Sequence, residues 1–207
     1  MSRRSSSVRG ASTRTLRIIG GVWRGRRLRF PPSPEIRPTP DRVRETLFNW
    51  LSFRVAGAHC LDLFAGSGAL GLEALSRGAA NVTFVERDPA AAREIRARLA
   101  QWNAQGGHVE LAQACGFLDQ RPATPFDIVF LDPPFASGLL ASSTERLERG
   151  GWLAHDALIY VECPAQGTDR PTAAPPLPAA WKPLRAKRAG EVGYHLYSRD
   201  ARGTDSA

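Results

Sequence analysis

The segment that most constrains the fold is an apolar run followed by a glycine-rich turn and a helical pattern. Residues 60–64 predict a buried strand that contains one carboxylate, Asp62. Gly66, Gly68 and Gly71 follow with the spacing G-x-G-x-x-G. Such a turn lets backbone N–H groups approach a ligand at the positive end of the next helix. The spacing alone is weak evidence for a nucleotide site. A buried carboxylate is costly unless it is bonded, so Asp62 strengthens that evidence.

Downstream of this turn, strand and helix patterns alternate. Strands are predicted at residues 81–86, 109–112, 127–131 and 157–161, and helices at 90–103 and 139–148. Residues 181–187 and 192–197 flank Ala189-Gly190 and predict a terminal antiparallel hairpin. Strands separated by single helices imply a mostly parallel sheet with right-handed crossovers, so the predicted fold is α/β.

Glu86 ends the second predicted strand of this series, 24 residues after Asp62. An acidic residue at about this distance from a glycine turn commonly accepts hydrogen bonds from ribose hydroxyls. A lone glutamate is more often an ordinary surface acid, but its place at a strand end after the glycine turn favours the ribose role. The first half of the chain therefore predicts an adenosine-containing cofactor.

The strand at 127–131 leads directly into Asp132-Pro133-Pro134-Phe135. Two prolines stiffen the chain and remove two backbone donors, which leaves the carbonyls of Asp132 and Pro133 available as acceptors. Asp132 adds a carboxylate, and Phe135 offers a flat face to a stacked base. Because an aryl amine is a poor nucleophile, accepting its hydrogens helps to localise its lone pair and aim it at an electrophile. These residues are therefore candidates for a site that reacts at an exocyclic amino group.

The positive charge is concentrated at the N-terminus. Residues 1–30 contain nine arginines and no acidic residue, whereas the remainder has 19 basic residues against 20 acidic ones. The net charge of +8 therefore arises from this arm. The sequence contains only two lysines, so a coding bias explains the preference for arginine, but not the lack of acids. The asymmetry predicts contact with a phosphate backbone.

Residues 16–30 predict two short strands joined at Gly20-Gly21, and Trp23 lies among the arginines. Trp23 is predicted either to stack on a base or to pack against the main domain. After a proline-rich connector, Thr39 is the expected N-cap of a helix, with Pro40 at its first position and Asp41 in its first turn. The predicted RNA-binding residues are Arg17, Trp23, Arg24, Arg26, Arg27, Arg37, Arg42 and Arg44.

Several other classes of protein are disfavoured. No apolar run approaches the roughly 18 residues of a membrane span. Cys60, Cys115 and Cys163 are far apart and lack metal-binding spacing, so free thiols in a reducing compartment are expected. The four histidines are equally scattered. We therefore expect a monomeric cytoplasmic protein with no metal site and no membrane association.

The motifs resemble a known family when they are taken together. Asp62-x-Phe-Ala-Gly-Ser-Gly followed by Asp-Pro-Pro-Phe resembles the class I S-adenosylmethionine-dependent amino-methyltransferases. Four flanking segments are more specific, namely Arg17-Ile-Ile-Gly-Gly-x-Trp-Arg-Gly-Arg-Arg-Leu, Arg37-Pro-Thr-x-Asp-Arg-Val-Arg-Glu-Thr-Leu-Phe-Asn-Trp-Leu51, Gly71-Leu-Glu-Ala-Leu-Ser-Arg-Gly-Ala79 and Ala157-Leu-Ile-Tyr-Val-Glu162. They look like the RsmD family of bacterial 16S rRNA (guanine-N2)-methyltransferases.

The resemblance implies a Rossmann-like, seven-stranded, mostly parallel sheet with a C-terminal antiparallel hairpin and a small basic N-terminal extension. It divides the chain into a disordered basic tail at 1–15, an RNA-binding hairpin and linker at 16–38, a methyltransferase domain at 39–200 and a disordered tail at 201–207. It also implies methyl transfer to the exocyclic N2 of a guanine, in 16S rRNA or in a small ribosomal subunit particle.

The resemblance also assigns roles to residues. Asp62, Gly66 and Gly68 would bind the methionine part of S-adenosylmethionine, Glu86 its ribose, and residues 132–135 the guanine amino group. The full predicted cofactor set is Asp62, Phe64, Ala65, Gly66, Ser67, Gly68, Glu86, Arg87, Gln113 and Asp132. Gln113 departs from the family, which usually has an aspartate there to bond the adenine amino group. A glutamine carbonyl accepts the same hydrogen bond without the charge.

Three alternatives remain open from the sequence. An adenine- or cytosine-specific amino-methyltransferase would use the same Asp132-Pro-Pro-Phe chemistry, although a small basic arm argues against a sequence-specific DNA enzyme. An NAD-dependent oxidoreductase would explain the glycine spacing but neither Asp62 nor Asp132. A non-catalytic RNA-binding assembly factor would tolerate Gln113 but would not need an intact Asp132-Pro-Pro-Phe.

Overall fold

The computed structural model describes residues 14–30, 39–165 and 177–200. Arg37, the linker around it, the tail at 201–207 and most of the proline-rich loop at 168–178 lie outside the described residues. Residues 1–13 of the predicted N-terminal tail also lie outside the described residues, whereas Arg14 and Thr15 belong to the first strand. The division of the chain at residue 38 stays a prediction.

The described residues contain nine strands and five α-helices. The strands are β1 Arg14–Arg17, β2 Arg27–Phe30, β3 His59–Asp62, β4 Asn81–Glu86, β5 Gly107–Leu111, β6 Phe126–Leu131, β7 Leu153–Pro164, β8 Trp181–Ala189 and β9 Val192–Arg199. The helices are α1 Asp41–Trp50, α2 Ala69–Ser76, α3 Pro89–Gln101, α4 Ala114–Leu118 and α5 Leu139–Arg149, with short 3₁₀ helices at Gly21–Trp23 and Phe135–Ser137.

Seven strands form one sheet in the order β5-β4-β3-β6-β7-β9-β8. Strands β3 to β7 run parallel to one another, and β9 runs antiparallel to both β7 and β8. This confirms the predicted fold, including the C-terminal hairpin. Strand β4, which follows β3 in the chain, lies on one side of β3, and β6 lies on the other side. Strands β3 and β6 therefore flank the switch point where such sheets bind ligands.

Both faces of the sheet are buried, which is why its strands read as apolar runs. Alternate residues of β3 point to opposite faces, so Cys60 packs with α1, α2 and α3, whereas Leu61 packs with α4 and α5. Strand β6 repeats the pattern with Ile128 and Val129. The crossover helices thus fix which strand ends meet at the carboxyl edge of the sheet.

Strands β1 and β2 pair as an antiparallel hairpin, as predicted. The turn differs from the prediction, because the strands end at Arg17 and start again at Arg27, with the 3₁₀ helix Gly21–Trp23 between them. A Cβ atom at Gly21 would lie 1.8 Å from the backbone oxygen of Ser76, and its φ of +75° is left-handed. Close docking against α2 therefore requires glycine at this position.

The prediction that Thr39 is the N-cap of α1 is wrong. The helix begins at Asp41, and Pro40 is the N-cap residue, with no side-chain cap bond. The Thr39 hydroxyl instead donates to Glu162 Oε1 at 3.1 Å. Asp41 lies in the first turn, as expected. The start of α1 is thus attached to β7 through a side chain distant in sequence.

In the described part of the chain, no helix has both the length and the apolar character that crossing a bilayer requires.

Candidate active site

A cavity of about 760 Å³ opens at the carboxyl ends of β3, β4 and β6. Its lining residues come from the glycine turn, the end of β4, the start of α4 and the loop after β6. They include Thr39, Asp62, Phe64, Ala65, Gly66, Ser67, Glu86, Arg87, Gln113, Asp132, Pro133, Pro134 and Phe135. The structure therefore brings together every predicted cofactor and catalytic residue except Gly68.

The glycine turn is shaped by backbone conformation and by one carboxylate. Gly66 and Gly68 have φ angles of 52° and 75°, a region that favours glycine. Glu86 accepts hydrogen bonds from the backbone N–H groups of Gly66 and Asp88, each at 2.7 Å. Glu86 thus holds the turn in place while it also lines the cavity.

The other two glycines serve packing. A Cβ atom at Gly68 would lie 3.0 Å from Ile95, and one at Gly71 would lie 2.2 Å from the ring of Phe84. Gly71 therefore lets α2 lie directly against β4. Gly68 caps α2 in a left-handed conformation, which explains why it is absent from the cavity wall. Its predicted contact with the cofactor has no support in this geometry.

Asp62 ends β3 with its carboxylate buried at the base of the cavity. Its Oδ2 accepts a hydrogen bond of 3.0 Å from the backbone N–H of Gly71. Burial raises the pKa of Asp62 to about 7, the bond from Gly71 opposes that rise, and the charge on Glu86 adds to it. An acid with such a pKa is ready to ionise fully when a cation approaches.

Asp132 lies beside a second buried carboxylate that sequence analysis assigned no role. Burial raises the pKa of Asp132, and the charges on Glu162 and Asp62 raise it further. Glu162 lies near the end of β7, where Oε1 accepts hydrogen bonds from Tyr160 at 2.8 Å and from Thr39 at 3.1 Å. Burial raises the pKa of Glu162 as well, while the two hydroxyl donors oppose the rise. Asp62 and Glu162 each lie within an otherwise apolar run of residues, and this is the signal by which the sequence could have revealed both.

The loop after β6 presents its residues to the mouth of the cavity. The backbone N–H and the hydroxyl of Ser137 both donate to the carbonyl of Pro134. This closes the 3₁₀ turn Phe135–Ser137. Pro133 is buried, whereas Phe135 remains 45% exposed at the cavity entrance. A flat apolar ring at this position offers a stacking surface to a planar group that enters from solvent.

Several known proteins are similar to this chain over most of its length. The family described as Conserved hypothetical protein 95 matches residues 16–198. Ribosomal RNA small subunit methyltransferase D of Escherichia coli K12 is 52% identical over 192 residues, which cover 93% of this chain and 94% of that protein. The chain belongs to the RsmD family. The Haemophilus influenzae protein of the same name is 44% identical over 185 residues, covering 88% of this chain and 93% of its own.

Solved structures agree with membership of the RsmD family. The Escherichia coli protein yhhF has a TM-score of 0.82 at 50% identity, and the match covers 91% of this chain and 99% of that one. A methyltransferase from Geobacter sulfurreducens has a TM-score of 0.57 at 14% identity, covering 79% and 80% of the two chains. The second likeness concerns the fold alone, which is that of class I methyltransferases.

In this RsmD-family chain the cavity wall carries Gln113 at the position where the resemblance led us to expect an aspartate. Gln113 precedes α4, is exposed and lines the cavity beside Ala112, Ala114 and Cys115. Cys115 Sγ lies 3.5 Å from the hydroxyl of Ser142 on α5. The wall around Gln113 is therefore weakly polar, and its only strong hydrogen-bonding side chain is the amide itself.

For two residues the prediction of RNA binding is wrong. Arg44 is fully buried and forms ion pairs with Asp41 at 2.6 Å and Glu73 at 3.3 Å. Trp23 is 9% exposed, and its ring centroid lies 5.2 Å from that of Trp102. Both residues hold the arm against the methyltransferase core, so neither is available to RNA.

The remaining predicted RNA-binding residues in the described part of the chain are exposed. They are Arg17, Arg24, Arg26, Arg27 and Arg42. Two of them have partners on the protein surface: Arg17 lies 3.6 Å from Asp41, and the Arg26 guanidinium lies 5.5 Å from the centre of the Trp102 ring. Such exposed contacts are weak and screened by salt, so phosphate groups can compete for both side chains.

The cavity of this RsmD-family protein is strongly acidic. Asp62, Glu86, Asp88 and Asp132 line it, Glu162 lies behind Asp132, and Arg87 is the only basic lining residue among the residues that the structure describes. In the described ranges no cluster of three or more potential metal ligands occurs. An acidic site of this kind fits an organic cation that also carries an adenosine group.

Proposed function

We propose that this protein transfers the methyl group of S-adenosylmethionine to ribosomal RNA, and that the acceptor is the exocyclic N2 of a guanine in 16S rRNA. The observation that carries the proposal is the cavity, which combines a glycine turn, four lining carboxylates and the Asp132-Pro-Pro-Phe loop. The names of the relatives supply the ribosomal RNA substrate.

The cofactor assignment rests on charge. S-adenosylmethionine supplies an electrophilic methyl group on a cationic sulfur, and its methionine part carries a second cation, the ammonium group. Asp62 at the base of the glycine turn is suited to hold the ammonium end, because binding a cation lowers the pKa that burial has raised. Glu86 has the position for the ribose hydroxyls, and Gln113 for the adenine amino group.

The acceptor nitrogen is positioned by the loop after β6. The Asp132 carboxylate and the Pro133 carbonyl each accept one hydrogen of the guanine amino group, which directs its lone pair into the cavity. Phe135 stacks on the base and sets its plane. These contacts strengthen as positive charge develops on the nitrogen, so they lower the free energy of the transition state more than that of the bound substrate.

Asp132 is also suited to receive the proton that the methylated nitrogen releases. Burial and the charge on Glu162 raise its pKa, which makes the ionised carboxylate a stronger base than an exposed aspartate. The cationic cofactor favours that ionised form before transfer. The hydrogen bonds from Thr39 and Tyr160 hold the Glu162 carboxylate in place behind Asp132 during the reaction.

The test is methyl transfer from labelled S-adenosylmethionine to small-subunit RNA, offered both as naked RNA and as particles that lack the modification. The labelled product is digested to nucleosides and identified. We expect N2-methylguanosine at one position. Labelled N6-methyladenosine would contradict the acceptor, and cofactor binding without transfer to either substrate would contradict the enzymatic activity.

A further inference from the structure

The outermost strand of the sheet, β8, carries a group of basic residues. Within Trp181–Ala189 the cations are Lys182, Arg185, Lys187 and Arg188, and no residue of the strand is acidic. Both lysines of the whole chain lie here. Strand β8 pairs with β9 on one side only, and every residue from Lys182 to Arg188 is exposed.

The register of the sheet relates this strand to the cavity. Glu162 pairs with Tyr194 of β9, and Tyr194 pairs with Lys187 of β8. Asp132 follows β6, one strand further from β8 than Glu162. At roughly 4.8 Å per strand, the Lys187 backbone is about 14 Å from that of Asp132. Strands β8 and β7 run in the same direction, so the end of β8 lies at the carboxyl edge of the sheet, where the cavity opens.

Two of the cations also share a face with the N-terminal elements. Arg185 pairs with Leu196 and Lys187 with Tyr194, and paired residues project to the same side of a sheet. Tyr194 stacks on Trp50 of α1, with ring centroids 5.6 Å apart. Helix α1 therefore lies between two basic regions, the hairpin β1–β2 on one side and the edge strand β8 on the other.

Protection against edge pairing does not account for these two cations. Lysine on an edge strand discourages pairing with other chains, as do proline and a bulge. Strand β8 already has Pro183 and a register shift between Pro183 and Arg185. In the described residues neither Arg185 nor Lys187 lies within ion-pair distance of a carboxylate. The Arg185 guanidinium donates only to the carbonyl of Leu184.

We infer that Arg185 and Lys187 of β8 bind phosphate groups of the RNA substrate, on the opposite side of α1 from the hairpin. The RNA is then held from two sides, with the target base at the cavity between them. A polyanion is the partner that this charge and exposure fit. The inference rests on the proposed function and adds a second contact surface to it.

The test compares two double variants of the full-length protein. Arg185→Gln with Lys187→Gln removes the two proposed contacts. Arg121→Gln with Arg149→Gln is the matched control, because these exposed arginines follow α4 and end α5 on the other face of the sheet. RNA affinity is measured over a range of salt concentrations. The first pair should reduce the slope of log K against log salt by about 1.5, and the control should leave it unchanged.

Two further measurements separate the possible results. Both variants should bind S-adenosylmethionine as the wild type does, which shows that the site persists. The β8 variant should also unfold thermally as the wild type does, whereas the control should melt only slightly lower, because it loses the exposed pair between Arg149 and Glu145. An unchanged salt slope in the β8 variant, beside a steep slope in the wild type, would overturn the inference alone. Absence of both RNA binding and methyl transfer in the wild type would overturn the proposed function and this inference with it.

Discussion

The carboxylates of Asp62 and Asp132 are enclosed by protein, and neither forms an ion pair with a basic side chain of the described residues. Enclosure raises the pKa of both, which means that ionising them in the unliganded protein is unfavourable. A cationic ligand removes this penalty. The site is therefore more stable with a cationic ligand bound than without one. Groups that are locally unfavourable in this way are common where function requires them.

At Asp62 the affinity for S-adenosylmethionine should depend on pH. Because its pKa in the unliganded protein is about 7, binding a cation is linked to loss of a proton, so affinity should rise from pH 6 to pH 7.5. Asp62→Asn should lower affinity at least tenfold, about 1.4 kcal/mol, and flatten that rise. Isothermal calorimetry at each pH measures both effects. Unchanged affinity in the variant would sink the assignment of Asp62.

At Asp132 the expected effect is on the chemical step. Asp132→Asn keeps the shape of the side chain but removes the charge and offers a donor where an acceptor is needed. Methyl transfer should slow by roughly two to three powers of ten, the scale of losing one preorganised electrostatic contact. Phe135→Ala should also slow transfer by loosening the stacked base.

Single-turnover kinetics at saturating cofactor isolate the step in which Asp132 acts. RNA affinity should change little in Asp132→Asn, because the proposed phosphate contacts lie on the arm and on β8. A variant that transfers methyl at the wild-type rate would show that the proposed mechanism is wrong.

At the residue scale the sequence predicted the cavity well and the surface less well. Asp62, Glu86 and Asp132 were found because each is an acidic residue that lies within, at the end of or directly after a predicted strand. Arg44 and Trp23 were misassigned because their partners, Glu73 and Trp102, are far away in sequence. An arginine among polar residues on a helix looks exposed until the carboxylate that buries it is known.

At the scale of elements, α2 is the support on which the hairpin β1–β2 rests. The Glu73 carboxylate accepts hydrogen bonds from the backbone N–H groups of Ile19 and Gly20, each at 2.8 Å. It also forms ion pairs with Arg44 at 3.3 Å and Arg77 at 2.8 Å. A single buried side chain thus joins the hairpin, α1 and α2.

Replacing Glu73 should therefore be costly. Glu73→Gln keeps the shape but leaves the buried Arg44 with one fewer negative charge, so the free energy of unfolding should fall by about 3–5 kcal/mol. Chemical denaturation measures this fall. The control is Glu145→Gln, which breaks an exposed pair with Arg149 and should cost less than about 1 kcal/mol. Equal falls in the free energy of unfolding in the two variants would show that Glu73 contributes no more to stability than an exposed acid does.

Strands β3 and β6 at the centre of the sheet were predictable because apolar residues predominate in each run and a glycine turn or a pair of prolines follows closely. Strand β7 was predicted at 157–161 but runs from Leu153 to Pro164. Its first part contains the exposed His155 and Asp156, which give no strand signal. Edge strand β8 was predicted at 181–187 and runs from Trp181 to Ala189, so the prediction missed only its last two residues. Pairing with a neighbour, rather than local composition, sets the length of both strands.

At the scale of the whole molecule, counting charges located only one of the two basic regions. The chain beyond residue 30 is nearly neutral in sum, yet β8 gathers four cations while the acids gather at the cavity. The hairpin also contributes apolar side chains to the core, in addition to its charge. Leu16, Ile18, Trp23 and Leu28 belong to the same apolar core as α1, α2 and α3.

Two truncations should separate charge from packing in the N-terminal arm. Deleting residues 1–13 removes three arginines and none of these core side chains, so the salt slope of RNA binding should fall while the melting temperature stays unchanged. Deleting residues 1–30 also removes the four core side chains, each worth about 2–5 kcal/mol, and should lower the melting temperature sharply. Equal melting temperatures for both truncations would show that the hairpin contributes no stability.

The docking of the hairpin on α2 and α3 also sets the order in which a newly made chain becomes structured. Residues 14–30 leave the ribosome before their partners do, because the Glu73 carboxylate that accepts a hydrogen bond from Ile19 lies 54 positions later in the sequence, and Trp102 comes later still. A two-stranded hairpin is at best marginally stable by itself. The segment proposed to meet ribosomal RNA is therefore synthesised before the elements that hold it in place, and it can dock only after they have formed.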